Sequence, residues 1–311
     1  MRAIVVRQFS GPVEAAEMPT PEPGAGAVRV RIEAAGVNPF DQKIATGYLE
    51  GTLPHDFPLI LGVDGAGTVD TVGPGVTHFA AGDRVVGRFL VPPVGHGSFA
   101  DYAVLPETAT LVHIPDRVTT IAAAALPTAG GTAQDLVDAA KIQPGQKVLI
   151  VGATGGVGSF LVQLANIAGG HVIATARAGD ADRMARLGAV ETIDYSRAPL
   201  ADSVHLLHPD GVDVLFDVVS PPEVLAELTA LVRHGGSVHS TIGSVDERML
   251  RHRGLRGGNI ESGGAAPELA RLLNRVAEGD VVVPIEATVP LERAPSVIGA
   301  PGARGKTVLT L

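Results

Sequence analysis

The run Val148-Leu149-Ile150-Val151-Gly152-Ala153-Thr154-Gly155-Gly156-Val157-Gly158 restricts the fold more than any other stretch of this chain. A strand rich in Leu, Ile and Val leads directly into a glycine turn, and apolar residues at helical spacing follow over 160–168, stopping at Gly169-Gly170. Small residues in that place let the backbone turn sharply and approach a diphosphate, whose charge then lies at the positive end of the helix. A tight turn without a ligand is the alternative. The segments that follow favour the first reading, with strands predicted over 171–176, 189–193, 212–218, 236–241 and 255–260 and a helix over 180–187. Strands alternating with helices imply right-handed crossovers and a doubly wound parallel sheet, so the fold class is α/β.

The chain before this region has another rhythm. Val28-Arg29-Val30-Arg31-Ile32, Gly67-Thr68-Val69-Asp70-Thr71-Val72 and Asp83-Arg84-Val85-Val86 are short apolar runs between turn residues, as strands of a mainly β domain require. Helices are predicted over 121–126 and 132–140, then over 267–278, with late strands over 281–285 and 306–309. Those two strands come too late to extend the nucleotide sheet and are expected to return to the first domain. A chain of 311 residues suggests two domains, expected here as 1–119 with 267–311, and 120–266.

Composition excludes several classes. Hydrophobic residues make up 45% and charged residues 18%, which suits buried cores rather than disorder. A net charge of -9 argues against nucleic acid, whose phosphates attract clustered Lys and Arg. The absence of Cys removes disulfides, thiolate zinc sites and a Cys nucleophile together. No run of about 20 residues is continuously apolar and the first residues read as a strand, so neither a membrane span nor a signal peptide is expected, and the location expected is cytoplasmic.

The place about 20 residues after the glycine turn reads Ala174-Thr175-Ala176-Arg177. An NAD site usually has an acid there for the ribose hydroxyls, and an acid would repel a 2′-phosphate. Arg177 can instead pair with that phosphate, which favours NADPH, although Asp180 nearby argues mildly the other way. A solvated surface arginine is the alternative for Arg177.

Taken together, the chain resembles the medium-chain dehydrogenase/reductase superfamily and, within it, the zinc-independent quinone oxidoreductase-like group. The resemblance rests on Gly36-Val37-Asn38-Pro39-Phe40-Asp41-Gln42-Lys43, Pro58-Leu59-Ile60-Leu61-Gly62-Val63-Asp64-Gly65-Ala66-Gly67 and Ala81-Gly82-Asp83-Arg84-Val85. It continues through Gly97-Ser98-Phe99-Ala100-Asp101-Tyr102, Leu126-Pro127-Thr128-Ala129-Gly130-Gly131-Thr132-Ala133 and Gly305-Lys306-Thr307-Val308. It implies a GroES-like β-rich catalytic domain joined to a Rossmann domain, with the cofactor in the cleft between them. By position, Thr128 is implied to approach the nicotinamide end and Gly152, Thr154, Gly155, Gly156, Val157 and Gly158 to form the diphosphate loop. Tyr195 is implied to flank the adenosine end beside Arg177, while Ile242 and Gly243 lie where the family's backbone nears the carboxamide. Thr128 as a purely structural helix-start hydroxyl and Tyr195 as a strand-end aromatic are the competing readings.

Zinc members of the superfamily hold metal through an early Cys and a Gly-His-Glu stretch. Here those places read Asn38 and Val63-Asp64, and neither Asn nor Val replaces a thiolate or an imidazole. His205 and His208 are expected to be exposed on one helix face, and His96 lies near the expected cleft. Without a Lewis acid, the favoured acceptors are those that spread the incoming charge: a quinone, or the C=C of an α,β-unsaturated carbonyl. Asn38, Lys43 and Tyr48 are the candidate catalytic donors, with Lys43 as a surface charge and Tyr48 as a packing aromatic in the competing view. Asp41 and Asp64 are expected to hold loop amides, and Phe99 to line either a substrate wall or the core.

The leading expectation is a zinc-free NADPH-dependent quinone or enone reductase with a small-molecule substrate. An enoyl-thioester reductase, for which Arg248, Arg251, Arg253 and Arg256 are a possible cationic entrance, and a non-enzymatic NADPH-binding protein of structural or regulatory role remain the alternatives. The last strand of the Rossmann sheet commonly pairs across a two-fold axis in the family, which implies a homodimer.

Overall fold

Val28, Val30 and Ile32 turn inward while Arg31 between them is exposed, and this alternation builds the long strand Ala27–Gly36. The computed structural model describes residues 1–302 and 304–311. The chain divides into two compact units, Met1–Ala129 with Gly264–Leu311, and Gly130–Gly263.

In the first unit, Ala27–Gly36 pairs antiparallel with Asp64–Val72, Tyr102–Pro106 and the C-terminal strand Lys306–Thr310. Arg84–Arg88, Leu111–His113 and Ile285–Pro290 complete that sheet. A second sheet runs Glu14–Glu17, Arg2–Val6, His55–Ile60 and Val94–His96. Leu59, Leu61, Val63, Phe99 and Leu105 lie in one apolar core, joined by Leu291 and Leu309 from the end of the chain. Phe99 is fully buried, so it packs the core.

The late strand expected over 281–285 lies later, at Ile285–Pro290. Pro284 has no N–H for a ladder, and the Ile285 N–H turns back onto the Val283 carbonyl, so pairing starts only after the proline.

In the second unit the six strands of the sheet, among the described residues, all run parallel. Their spatial order is Glu191–Ile193, His171–Thr175, Lys147–Val151, Val212–Asp217, Val232–Ser240, Arg256–Asn259. Chain order reverses beside Lys147–Val151, and in such sheets ligands bind beyond the carboxyl ends of the strands at that reversal. Val148, Leu149 and Ile150 are wholly buried, as a parallel strand covered on both faces requires.

Candidate functional site

Beyond Val151 the chain enters the glycine turn. Gly152 has φ +87°, and a Cβ there would lie 2.7 Å from a Val219 methyl, so a side chain would be both strained and blocked. At Gly158 a Cβ would lie 2.1 Å from the Gly152 carbonyl oxygen, which is how closely helix and turn pack. The helix Gly156–Ile167 starts from Gly155, whose N-cap position makes no side-chain hydrogen bond. Its first turn therefore presents the N–H groups of Gly156, Val157 and Gly158 with no side-chain cap, and these residues fit a diphosphate. Thr154 turns its carbonyl toward Arg183, whose guanidinium lies 3.3 Å from it and 2.8 Å from Ser159 Oγ. Arg183 was not foreseen. Its only sequence signal is its place one turn after Asp180, with which it pairs at 3.8 Å.

The neighbouring strand His171–Thr175 ends just before Arg177, which is exposed. Ala176 N–H bonds the Ile193 carbonyl, so Arg177 and Tyr195 follow the ends of adjacent strands; Tyr195 is 46% exposed. The acids here are engaged. Asp180 is buried and pairs with Arg183, while Asp194 accepts from the Ser196 hydroxyl and N–H and from Ala178 N–H and pairs with Arg197, which together hold its carboxyl below the usual range. Ile242 and Gly243 follow the strand Val232–Ser240, Ile242 being 41% exposed and Gly243 having open space where a Cβ would lie. One strand over, fully buried Asp217 accepts the N–H groups of Val219 and Ser220, which shapes the turn against Gly152.

In the first unit a buried polar cluster occupies the carboxyl end of Ala27–Gly36. Asn38 starts the short helix Pro39–Ala45, and its N–H bonds Asp41 at 2.7 Å. Its amide donates to the Gly36 carbonyl at 3.2 Å and to Asp64 at 3.0 Å, and accepts from the Lys306 ammonium at 2.5 Å. Asp64 in turn takes both the N–H (3.0 Å) and the hydroxyl (2.7 Å) of Thr128, near the start of the helix Pro127–Ala140. Carboxylate oxygen at a helix start satisfies an N–H that the helix itself cannot.

Asn38, Asp41, Asp64 and Lys306 are all buried. Burial, reinforced by the Asp64 charge, pushes the Asp41 carboxyl up to about 7, against the N–H groups of Asn38 and Val63 and the Lys306 charge. Burial likewise pulls the Lys306 ammonium down, opposed by the two carboxylates. The structure thus brings Asn38 together with Thr128, and both amide hydrogens of Asn38 are used inside the cluster. Lys306, which closes it, was read only as part of a chain-end motif.

Lys43 and Tyr48 come together elsewhere on the first unit. Lys43 is exposed, with its ammonium 5.4 Å from the centre of the Tyr48 ring, and Tyr48 packs edge-on to Phe40 while remaining 60% exposed. Of the histidines, His96 is half exposed and pairs with Asp56 at 3.0 Å. His208 differs from expectation: it is buried and bonds Glu191, whose other oxygen meets His171. The carboxylate comes from a separate strand, so its nearness had no signal in helical spacing. Among the described residues, no three His, Asp or Glu side chains form a group able to hold a metal ion. None of the helices there is long and apolar enough to cross a membrane.

Residues 24–116 match the family model of the alcohol dehydrogenase GroES-like domain, and residues 156–248 match that of the zinc-binding dehydrogenase. The chain is 40% identical over 204 residues to the chloroplast envelope quinone oxidoreductase homolog of Arabidopsis thaliana, a match that covers 63% of this chain and 61% of that protein. It is 32% identical over 308 residues to the quinone oxidoreductase of Pseudomonas aeruginosa, covering 93% and 92% of the two chains. The solved structure of a mycobacterial protein complexed with NADPH superposes with a TM-score of 0.85 at 28% identity, covering 100% of both chains.

Proposed function

Because the chain belongs to the medium-chain dehydrogenase/reductase superfamily, in its quinone oxidoreductase-like group, we propose that it is a zinc-independent oxidoreductase that uses NADPH to reduce a quinone or the C=C of an α,β-unsaturated carbonyl. The observation that carries the reading is the glycine turn at the end of the strand Lys147–Val151, with Arg177 at the end of the next strand and its acidic neighbours already paired. The nicotinamide supplies the hydride when bound. The N–H groups of Gly156, Val157 and Gly158 hold the diphosphate, while Arg177 pairs with the 2′-phosphate and Tyr195 flanks the adenine. Backbone at Ile242 and Gly243 holds the carboxamide, and Thr128 contacts the nicotinamide end.

Charge arriving on the acceptor oxygen needs a hydrogen bond or a proton, and Lys43 or Tyr48 supplies it. Asn38 acts from behind, since its amide is spent on Gly36, Asp64 and Lys306. The donor set at the places of the family's zinc ligands supports zinc independence: Val63 has no donor atom, and Asn38 is occupied. The same reading places the nucleotide-binding domain at 120–266 and the GroES-like domain at 1–119 with 267–311. It also includes a cytoplasmic location and a homodimer formed through the edge strand Arg256–Asn259.

The experiment is NADPH oxidation against a panel of quinones, enones and enoyl thioesters, with NADH in parallel and metal content measured on the same sample. Turnover of quinones or enones with NADPH favoured supports the proposal. Turnover confined to thioesters makes the chain an enoyl-thioester reductase, and tight NADPH binding without turnover makes it a binding protein. Stoichiometric zinc, or no binding of either nucleotide, overturns the reading.

A further inference from the structure

We propose that Asp64 fixes the hydrogen-bonding direction of Thr128, so that Thr128 meets the nicotinamide carboxamide as an acceptor of its N–H2 and not as a donor to its carbonyl. The inference rests on the reading that Thr128 lies at the nicotinamide end of the cofactor. A threonine hydroxyl carries one proton and two lone pairs, so whichever neighbour takes the proton decides what the oxygen offers elsewhere. Here the taker is wholly buried Asp64, whose Oδ1 lies 2.7 Å from Thr128 Oγ1.

The carboxylate has no freedom to release it. Its Oδ2 already accepts the Thr128 N–H and the Asn38 amide, each at 3.0 Å. Asn38 is fixed in its turn, because its amide oxygen receives the Lys306 ammonium at 2.5 Å. Flipping the Asn38 amide would turn two donors toward a cation. Lys306 also bonds the Val37 carbonyl at 2.8 Å, which anchors the far end of the series. Proton direction is therefore set from Lys306 through Asn38 and Asp64 to Thr128, and Asp64 is a positioning residue rather than a catalytic one. A half-buried hydroxyl held this way discriminates between two groups of similar shape, an amide N–H2 and a methyl.

The test is calorimetric titration of the full chain with NADP+ and with its 3-acetylpyridine analogue, which keeps the carbonyl and replaces the N–H2 by methyl. Wild type is expected to prefer NADP+ by about tenfold more than Thr128→Val does, roughly the worth of one hydrogen bond. Asp64→Asn is expected to lose the same preference. Its oxygen takes over the Thr128 N–H and Asn38 bonds, and its N–H2 then faces Thr128 Oγ1 and turns the hydroxyl proton outward. A preference equal in wild type and Thr128→Val overturns the proposal while leaving NADPH binding intact. A preference lost in Thr128→Val but kept in Asp64→Asn overturns the role of Asp64. Absence of binding by either nucleotide overturns the cofactor reading and this inference with it. Should Asp64→Asn fail to fold, proton NMR of the wild type decides. A slowly exchanging hydroxyl resonance missing from Thr128→Val supports the proposal, and its absence from wild type defeats it.

Discussion

The Lys306 ammonium lies 2.5 Å from the Asn38 amide oxygen, and both side chains are buried with Asp41 and Asp64. One internal cation thus faces two internal carboxylates, and removing it leaves the acids without compensation. Lys306→Met is expected to lower unfolding stability by about 3–5 kcal/mol near neutral pH, the cost of leaving a buried charge uncompensated. Urea unfolding measures it; a loss below about 1 kcal/mol would show that the ammonium balances nothing.

Asp41 makes the cluster sensitive to pH in a defined direction. Its carboxyl is pushed up to about 7 in the folded chain, from 3.8 in the unfolded one. Between those values the folded state holds the extra proton, so this group's stabilisation is complete below about 4 and is lost as pH rises through about 7. Unfolding at pH 5 and pH 8 should show this slope, and Asp41→Asn should flatten it. An unchanged slope in the variant would assign the titration elsewhere.

His239 works in the opposite sense. It is 4% exposed beside Phe216, neither ring nitrogen has a hydrogen-bond partner among the described residues, and burial pulls its pKa down to about 4 from 6.5. The unfolded chain takes up the proton first, so stability is lost as pH falls from about 6.5 toward 4. His239→Phe should hold its stability better than wild type in that range. If acid denaturation midpoints coincide, buried His239 is not the group responsible.

Gly158→Ala asks the helix start to move, since the added carbon would lie 2.1 Å from the Gly152 oxygen. On the proposed function, displacing the first-turn N–H groups is expected to weaken NADPH binding by tenfold or more, read by fluorescence titration, on the order of the hydrogen bonds they would make to a charged diphosphate. Unchanged affinity would remove the glycine turn from the cofactor site.

Arg177→Gln separates the two nucleotides. NADPH affinity should fall about tenfold while NADH affinity stays within about twofold, because only NADPH carries the phosphate that a guanidinium pairs with. Equal losses for both would make Arg177 a general anion contact.

Much of the site was legible locally. The strand Lys147–Val151, the turn at Gly152 and the helix after it are each specified by neighbours in the chain, through apolar runs, missing side chains and helical spacing. The place of Arg177 was legible because it follows a strand, two residues past its last one, Thr175. The charge environment around it was not, since Asp180 and Asp194 meet Arg183 and Arg197 only once the helix and the turn have formed. His208 shows the same limit: it ends a helix, and the Glu191 that bonds it stands 17 positions earlier on a strand.

Periodicity and glycine placement determined two kinds of sheet and the turn that suits a diphosphate, because these follow from interactions within a few residues, and composition alone, with no Cys, removed thiolate chemistry. Only the tertiary structure decided that Asn38 answers to a lysine 268 positions later and that Thr128 answers to an aspartate 64 positions earlier. The physical reason is that a charge cannot stay buried without partners, and sequence spacing does not say which distant strand will bring them.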